Sequence, residues 1–173
     1  MNITPLGTGF GAVIDGVRLA ASGAQLDAQL QAALLEHGLL VIRDHNLTPE
    51  QHVQASALFG ELETFPPAPG QVAGLPQVFR LASRVNEGHR DVGRHWHSDG
   101  SFRAQPTPIS IWHSVAVPEQ GGDKLFTDLR VPHQATVTTP QFPRVRDRTT
   151  ITAATAFSKV PATIDVAQFA TAQ

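Results

Sequence analysis

Cysteine is absent from the 173-residue chain. That excludes a disulfide framework, a thiolate metal site and a cysteine nucleophile. Charge of one sign is missing too. Thirteen Lys and Arg stand against fifteen Asp and Glu, a formal charge of −2, so no global basic field argues for a nucleic-acid partner. No apolar run approaches the roughly 18 residues needed to cross a bilayer. Residues 1–9 carry no basic stretch followed by an apolar one, as a secretory signal would. No Gly-x-Gly-x-x-Gly or phosphate loop follows a strand-like segment, so nucleotide chemistry lacks a cradle. No nucleophile elbow marks a Ser/His/Asp hydrolase. These absences lead us to expect a soluble cytoplasmic protein with neither a membrane nor a nucleic-acid partner.

What is present describes a globular domain. Hydrophobic residues make up 41% and charged residues 16%, which is neither a disordered tail nor a coiled coil. The length suits one domain, residues 1–173. Fourteen Gly and thirteen Pro imply many turns and argue against a helical bundle. Eight histidines, several between His89 and His113, make a metal site worth testing, because imidazole is the commonest metal ligand.

Local patterns divide the chain. Residues 3–19 read as strand and turn, broken by glycines. Leu26, Leu30 and Leu34 recur at i, i+4, i+8, the stripe of an amphipathic helix from Gln25 to His37, and Gly38 stands at its C-terminal cap. Residues 39–43 follow as a short buried strand. Thr48-Pro49-Glu50-Gln51 is a helix start with a capping box and Pro at the first position, and that helix should stop at Gly60. The prolines and glycines of residues 64–76 form a loop, and Val78–Leu81 reads as a strand. From Ile109 to Val117 the apolar residues alternate, with His113 in the register of Ile111 and Val115, so this stretch is a strand. Gly121-Gly122-Asp123 makes a turn. Residues 124–127, 135–138 and 144–152 read as extended. A mixed N-terminal part followed by mostly β structure predicts an α+β, mainly β fold: a sandwich or jelly roll with N-terminal helices.

One pair of residues carries candidate chemistry. In His97-Ser98-Asp99 an imidazole and a carboxylate stand two apart, and on a strand i and i+2 share a face. With a second, distant histidine they would make a two-histidine, one-carboxylate face that leaves positions open for Fe(II) chemistry. With eight histidines and fifteen acids, roughly one His-x-acid pair arises by chance. The chain holds another, His89-Arg90-Asp91, and spacing does not choose between them. A surface ion pair explains either equally well.

The wider text resembles the taurine dioxygenase and 2,4-dichlorophenoxyacetate dioxygenase (TauD/TfdA) family. Trp96-His97-Ser98-Asp99-Gly100-Ser101-Phe102 is similar to its iron-binding signature. Ile3-Thr4-Pro5-Leu6 and Gly11-Ala12-Val13-Ile14-Asp15-Gly16-Val17 resemble its opening strand pair. Val41-Ile42-Arg43-Asp44, Leu47-Thr48-Pro49-Glu50-Gln51 and Phe59-Gly60-Glu61-Leu62-Glu63 resemble the landmarks that follow. Pro118-Glu119-Gln120-Gly121-Gly122-Asp123 resembles the turn after the next strand. The likeness runs from residue 3 to about residue 130, and it selects His97 and Asp99 over His89 and Asp91. It implies a double-stranded β-helix (jelly roll, cupin-like) and an Fe(II)- and 2-oxoglutarate-dependent dioxygenase. Such an enzyme hydroxylates a small anionic substrate and releases succinate and CO2. His133, Arg144 and Arg148 fit the spacing of the family's distal histidine and its two arginines.

The resemblance thus implies His97, Asp99 and His133 as metal ligands. Arg144 would hold the far carboxylate of 2-oxoglutarate, and Arg148 would steer an anionic substrate. Three departures stand out. His97 and His133 are much closer in sequence than the family's two histidines, as if middle strands were deleted near residues 128–132. An N-terminal part, 1–128, then joins directly to closing strands, 129–173. That leaves an incomplete barrel, a catalytically inactive relic, or one that borrows strands by forming a homo-oligomer. A cupin-like metal-binding protein that does not use 2-oxoglutarate is the remaining alternative. Lys124 stands where the family has a 2-oxoglutarate-binding Thr, with Thr127 nearby. Phe65 stands where taurine enzymes carry a substrate-binding His, which argues for a more apolar substrate. His95 and His113 read as structural or as supports behind the metal ligands rather than as ligands themselves, and Trp112 as core.

Overall fold

The computed structural model describes residues 1–7, 9–21, 23–43, 45–82, 97–117, 119, 124–126 and 128, and the backbone of strands within 144–168. Strand β1 (Asn2–Pro5) pairs antiparallel with β2 (Ala12–Asp15). Helix α1 (Ala24–His37) ends where Gly38 adopts φ 72° and donates its N–H to the Leu34 carbonyl, a left-handed cap that glycine adopts at little cost. The chain enters β3 (Leu39–Arg43) at once and runs parallel to β2, so α1 serves as the crossover of a β-α-β unit. Helix α2 (Pro49–Ser56) begins with the capping box foreseen. The Gln51 N–H donates to Thr48 Oγ1, and the Thr48 N–H donates to the Gln51 side-chain oxygen. Beside that box, the first-turn backbone N–H groups and the Thr48 hydroxyl hold the exposed Glu50 carboxyl below the usual range. A single 3₁₀ turn then ends at Gly60.

The remaining elements are strands: β4 (Gln71–Val72), β5 (Leu75–Leu81), β6 (Ser110–Ala116), β7 (Lys124–Phe126), β8 (Arg144–Val145), β9 (Thr149–Ala153), β10 (Ala156–Phe157) and β11 (Thr163–Gln168). Eight form one sheet in the order β1-β2-β3-β9-β6-β11-β5-β4, and three form a second, β10-β7-β8. The expectation of a mainly β chain with N-terminal helices holds. Among the described residues the large sheet is open, with β1 and β4 at its edges, and does not close into a complete roll.

One expected strand divides in two. Residues 144–152 read as a single extended run, yet β8 belongs to the small sheet and β9 to the centre of the large one, between β3 and β6. Thr149–Ala153 is β-branched and uncharged, which suits a central strand. Arg144–Arg148 is charged at four of five positions, which does not. Arg148 lies outside the described residues.

The large sheet is covered on both sides. Ala12 and Ile14 of β2, with Leu40 and Ile42 of β3, pack with Leu30, Ala33 and Leu34 of α1 and Ala55 of α2, all buried. A buried leucine such as Leu30, fully inaccessible here, contributes on the order of 2 kcal/mol by leaving water. On the opposite face Trp112 of β6 meets Phe126 of β7, ring centroids 6.1 Å apart. Both faces of β6 are therefore buried from Ser110 to His113. This is why its alternation of apolar residues shows only one of two filled sides.

Candidate metal centre

His97 and Asp99 precede β6 in a loop tied by its own backbone. The Ser101 N–H donates to the Ser98 carbonyl, the Arg103 N–H to Gly100, and the Thr107 N–H to the Asp99 carbonyl at 3.2 Å. Gly100 makes this turn feasible. Its φ is 65°, and a Cβ there would stand 2.6 Å from Thr107 Oγ1 and 2.7 Å from the Thr107 nitrogen. Arg103 also pairs with Glu63, which pins the loop to the segment after α2.

The loop brings His97 Nε2 to 3.2 Å from Asp99 Oδ1. The other carboxylate oxygen, Oδ2, accepts a hydrogen bond from Ser110 Oγ at 2.5 Å, the length of a charge-assisted bond. Ser110 thereby fixes the carboxylate and leaves Oδ1 toward the imidazole. Two donors at ordinary metal–ligand lengths of roughly 2.1 Å and 3.2 Å from each other subtend about 100° at the ion, close to two adjacent octahedral positions. The pair fits a shared divalent ion. Its side chains are 33% and 14% exposed, open enough for an exchangeable ligand. Among the described residues no third His, Asp or Glu joins them. His133 lies outside those residues, as do Thr127, Arg148 and the rejected pair His89 and Asp91. His95, the Gly121–Asp123 turn and residues 135–138 lie outside them too.

Ser110 was not singled out by sequence. It lies eleven residues from Asp99, and only the fold of the loop onto β6 joins them. Two positions on, Trp112 shares its face of the strand. It is buried as expected, and Lys124 Nζ lies 5.1 Å from its ring. Lys124 is 4% exposed, and its Nζ has no hydrogen-bond acceptor among the described residues. Burial lowers its pKa to about 8. Phe65 is half-buried with its ring 5.8 Å from Phe79. Phe79 faces the same way as Trp112, because each pairs directly with Val166 of β11. Histidine–carboxylate pair, lysine and phenylalanine therefore gather on one side of the large sheet.

The other buried histidine works elsewhere. His113 points to the helix side, its ring centroid 5.8 Å from that of His52 of α2. Its Nε2 lies 3.2 Å from the His45 carbonyl and 3.4 Å from the Leu47 nitrogen. The Leu47 N–H donates to Nε2, and the His45 carbonyl lies beside the same nitrogen. His113 thus packs among the groups that hold the connection between β3 and α2. A surface cleft of about 500 Å³ at the carboxyl ends of β2 and β3, lined in part by Arg18, Arg43 and His45, includes none of the predicted site residues. Arg144, on β8, pairs with Leu125, while Lys124 pairs with Val145.

Comparison with known proteins shows the family and the fold. Residues 2–134 match the family described as taurine catabolism dioxygenase TauD, TfdA family. The chain is 33% identical over 141 residues to an (S)-phenoxypropionate/alpha-ketoglutarate-dioxygenase of Sphingobium herbicidovorans, covering 78% of this chain and 47% of that protein. It is 28% identical over 146 residues to the alpha-ketoglutarate-dependent 2,4-dichlorophenoxyacetate dioxygenase of Cupriavidus pinatubonensis, covering 76% and 51%. The chain thus spans about half the length of these curated relatives. Among solved structures, a taurine dioxygenase from Burkholderia xenovorans superimposes with a TM-score of 0.77 at 21% identity, covering 97% of this chain and 88% of that one. The structural likeness establishes the fold. The matched family segment ends one residue past His133, so Arg144 and Arg148 lie beyond it.

Proposed function

The chain belongs to the TauD, TfdA family of dioxygenases, and from that premise we propose that it is an Fe(II)- and 2-oxoglutarate-dependent dioxygenase. Its substrate is a small organic anion with an apolar body. The observation that carries this reading is the His97–Asp99 pair, 3.2 Å apart with Ser110 clamping the free carboxylate oxygen. A bare surface ion pair needs no such clamp. A metal site gains from one, because an outer hydrogen bond orients the ligand and holds its charge in place.

His97 and Asp99 would hold the ion, with His133 as the third ligand. A ferrous ion so held supplies the coupling of 2-oxoglutarate decarboxylation to the insertion of oxygen into a substrate C–H bond, with release of succinate and CO2. The chain's own work is binding, orientation and exclusion of water. The co-substrate's far carboxylate needs a cation, and Lys124 and Arg144 on paired strands are the candidates, with Thr127 adjoining. Phe65, against Phe79, offers an aromatic wall to the substrate body, and Arg148 would receive its anionic group. The relatives named above act on aryloxy acids, which combine these two features.

The test is anaerobic addition of Fe(II) and 2-oxoglutarate to the purified chain. We expect a visible metal-to-ligand charge-transfer band, its absence in His97→Ala, and succinate formation in air coupled to consumption of an aryloxy acid. A chain that binds Fe(II) without the band would be a metal-binding protein that does not use 2-oxoglutarate. One that retains no iron would be an inactive relic of the fold.

A further inference from the structure

The His97–Asp99 pair sits on a loop, and a loop holds a coordination geometry only as well as it is anchored. One anchor lies downstream, at the start of β6: Ser110 clamps the Asp99 carboxylate, and the Thr107 N–H reaches the Asp99 carbonyl. A second anchor reaches a different part of the fold. Arg103, in the same loop, pairs with Glu63, 40 positions earlier in the chain. Resting on the dioxygenase reading above, we infer that Glu63 and Arg103 are positioning residues for the His97–Asp99 pair. Their ion pair fixes the orientation of the loop and so sets the affinity for the ion.

Three observations carry this. First, Glu63 is a fixed post. Its side chain is 15% exposed, and the segment it leads into is tied to the next hairpin. The Phe65 N–H donates to the Pro76 carbonyl at 2.9 Å, and Gln71 Nε2 donates to the Phe65 carbonyl at 3.0 Å. Second, the Glu63 carboxylate depends on the arginine. One oxygen accepts from the guanidinium, and the other, Oε2, is buried with no hydrogen-bond partner among the described residues. A fully exposed ion pair holds little together, but a carboxylate so enclosed is left uncompensated when its cation departs. The loop is therefore drawn onto Glu63. Third, Arg103 passes that hold to the metal ligand. Its backbone N–H donates at 2.9 Å to the carbonyl of Gly100, the residue next to Asp99. Its guanidinium carbon lies 5.4 Å from the centroid of the Phe102 ring, within cation–π range. The turn between them is stiff, since Gly100 has φ 65° and stands directly against Thr107. Ser110 and Thr107 fasten Asp99 at one end, about which a loop still pivots. A hold on a separate element removes that freedom.

The experiment is titration of the full chain with Fe(II) by anaerobic calorimetry, with urea unfolding of each metal-free variant alongside. Glu63→Gln keeps the shape and removes the charge, and Arg103→Met keeps much of the stem and removes the cation. Each should weaken Fe(II) binding by about tenfold, the scale of loss for groups that orient a metal ligand. The double variant should bind no worse than either single one, because both remove the same contact. Arg103→Lys, which returns a cation to the position, should recover most of the affinity. A pair that serves folding alone would lower the urea midpoint and leave the affinity of the folded chain unmoved. That result, or losses that add in the double variant, overturns the inference, while Fe(II) binding by the wild-type chain keeps the dioxygenase reading standing. A wild-type chain that binds no Fe(II) removes both.

Discussion

The two faces of β6 use the same kinds of residue for opposite ends. On the helix side, Ile111 and His113 are 1% and 2% exposed. His113 sets its Nε2 against the Leu47 N–H and the His45 carbonyl and packs near His52, fastening the β3–α2 connection. On the other side, Ser110 and Trp112 are nearly as buried but serve groups that arrive from elsewhere, Asp99 and Lys124. A histidine sealed in the core holds structure. One at 33% exposure sets its Nε2 toward a clamped carboxylate at the surface. Burial and partners, rather than residue type, separate the two roles.

That contrast can be broken by substitution, the larger effects first. His113→Ala opens a cavity beside His52 and leaves the Leu47 N–H without its acceptor, so it should cost about 3 kcal/mol of stability in urea unfolding. Iron binding should survive in that variant, the reverse of His97→Ala. Lys124→Met should raise stability at pH 7 by about 2 kcal/mol, because it removes a buried charge. The sign follows from the lowered folded pKa. The unfolded chain binds the proton more readily, so stability rises with pH from about 8 toward the ordinary lysine value. The gain from Lys124→Met should accordingly shrink over that range. Ser110→Ala should weaken iron binding by roughly ten- to a hundredfold, with little change in folding, since it frees a carboxylate oxygen beside the ion. Thr48→Ala, remote from both faces, should cost about 1 kcal/mol through loss of the α2 cap and leave iron binding unchanged.

Local elements were legible because their signals are local. The leucine stripe and Gly38 set α1, and Thr48, Pro49 and Gln51 set the start of α2. The run Leu39–Arg43 is a strand as read, and β6 differs from its expected bounds by one residue at each end. The His97–Asp99 pair was legible only beside its neighbours in the family signature, because its spacing also occurs in His89 and Asp91. The single strand expected over 144–152 was misread. Extended propensity says nothing of which sheet a residue joins, and the charged half parted from the β-branched half.

The order of residues alone determined where helices begin and end, which segments extend, and which imidazole and carboxylate stand two apart, since all of these depend on neighbours within a few positions. Only the tertiary structure decided that Ser110 clamps Asp99, that Lys124 lies buried over Trp112, and that β8 pairs with β7 in the small sheet. Those outcomes depend on strand register and on which faces meet, and a one-residue slip in pairing would reverse them without altering any local preference.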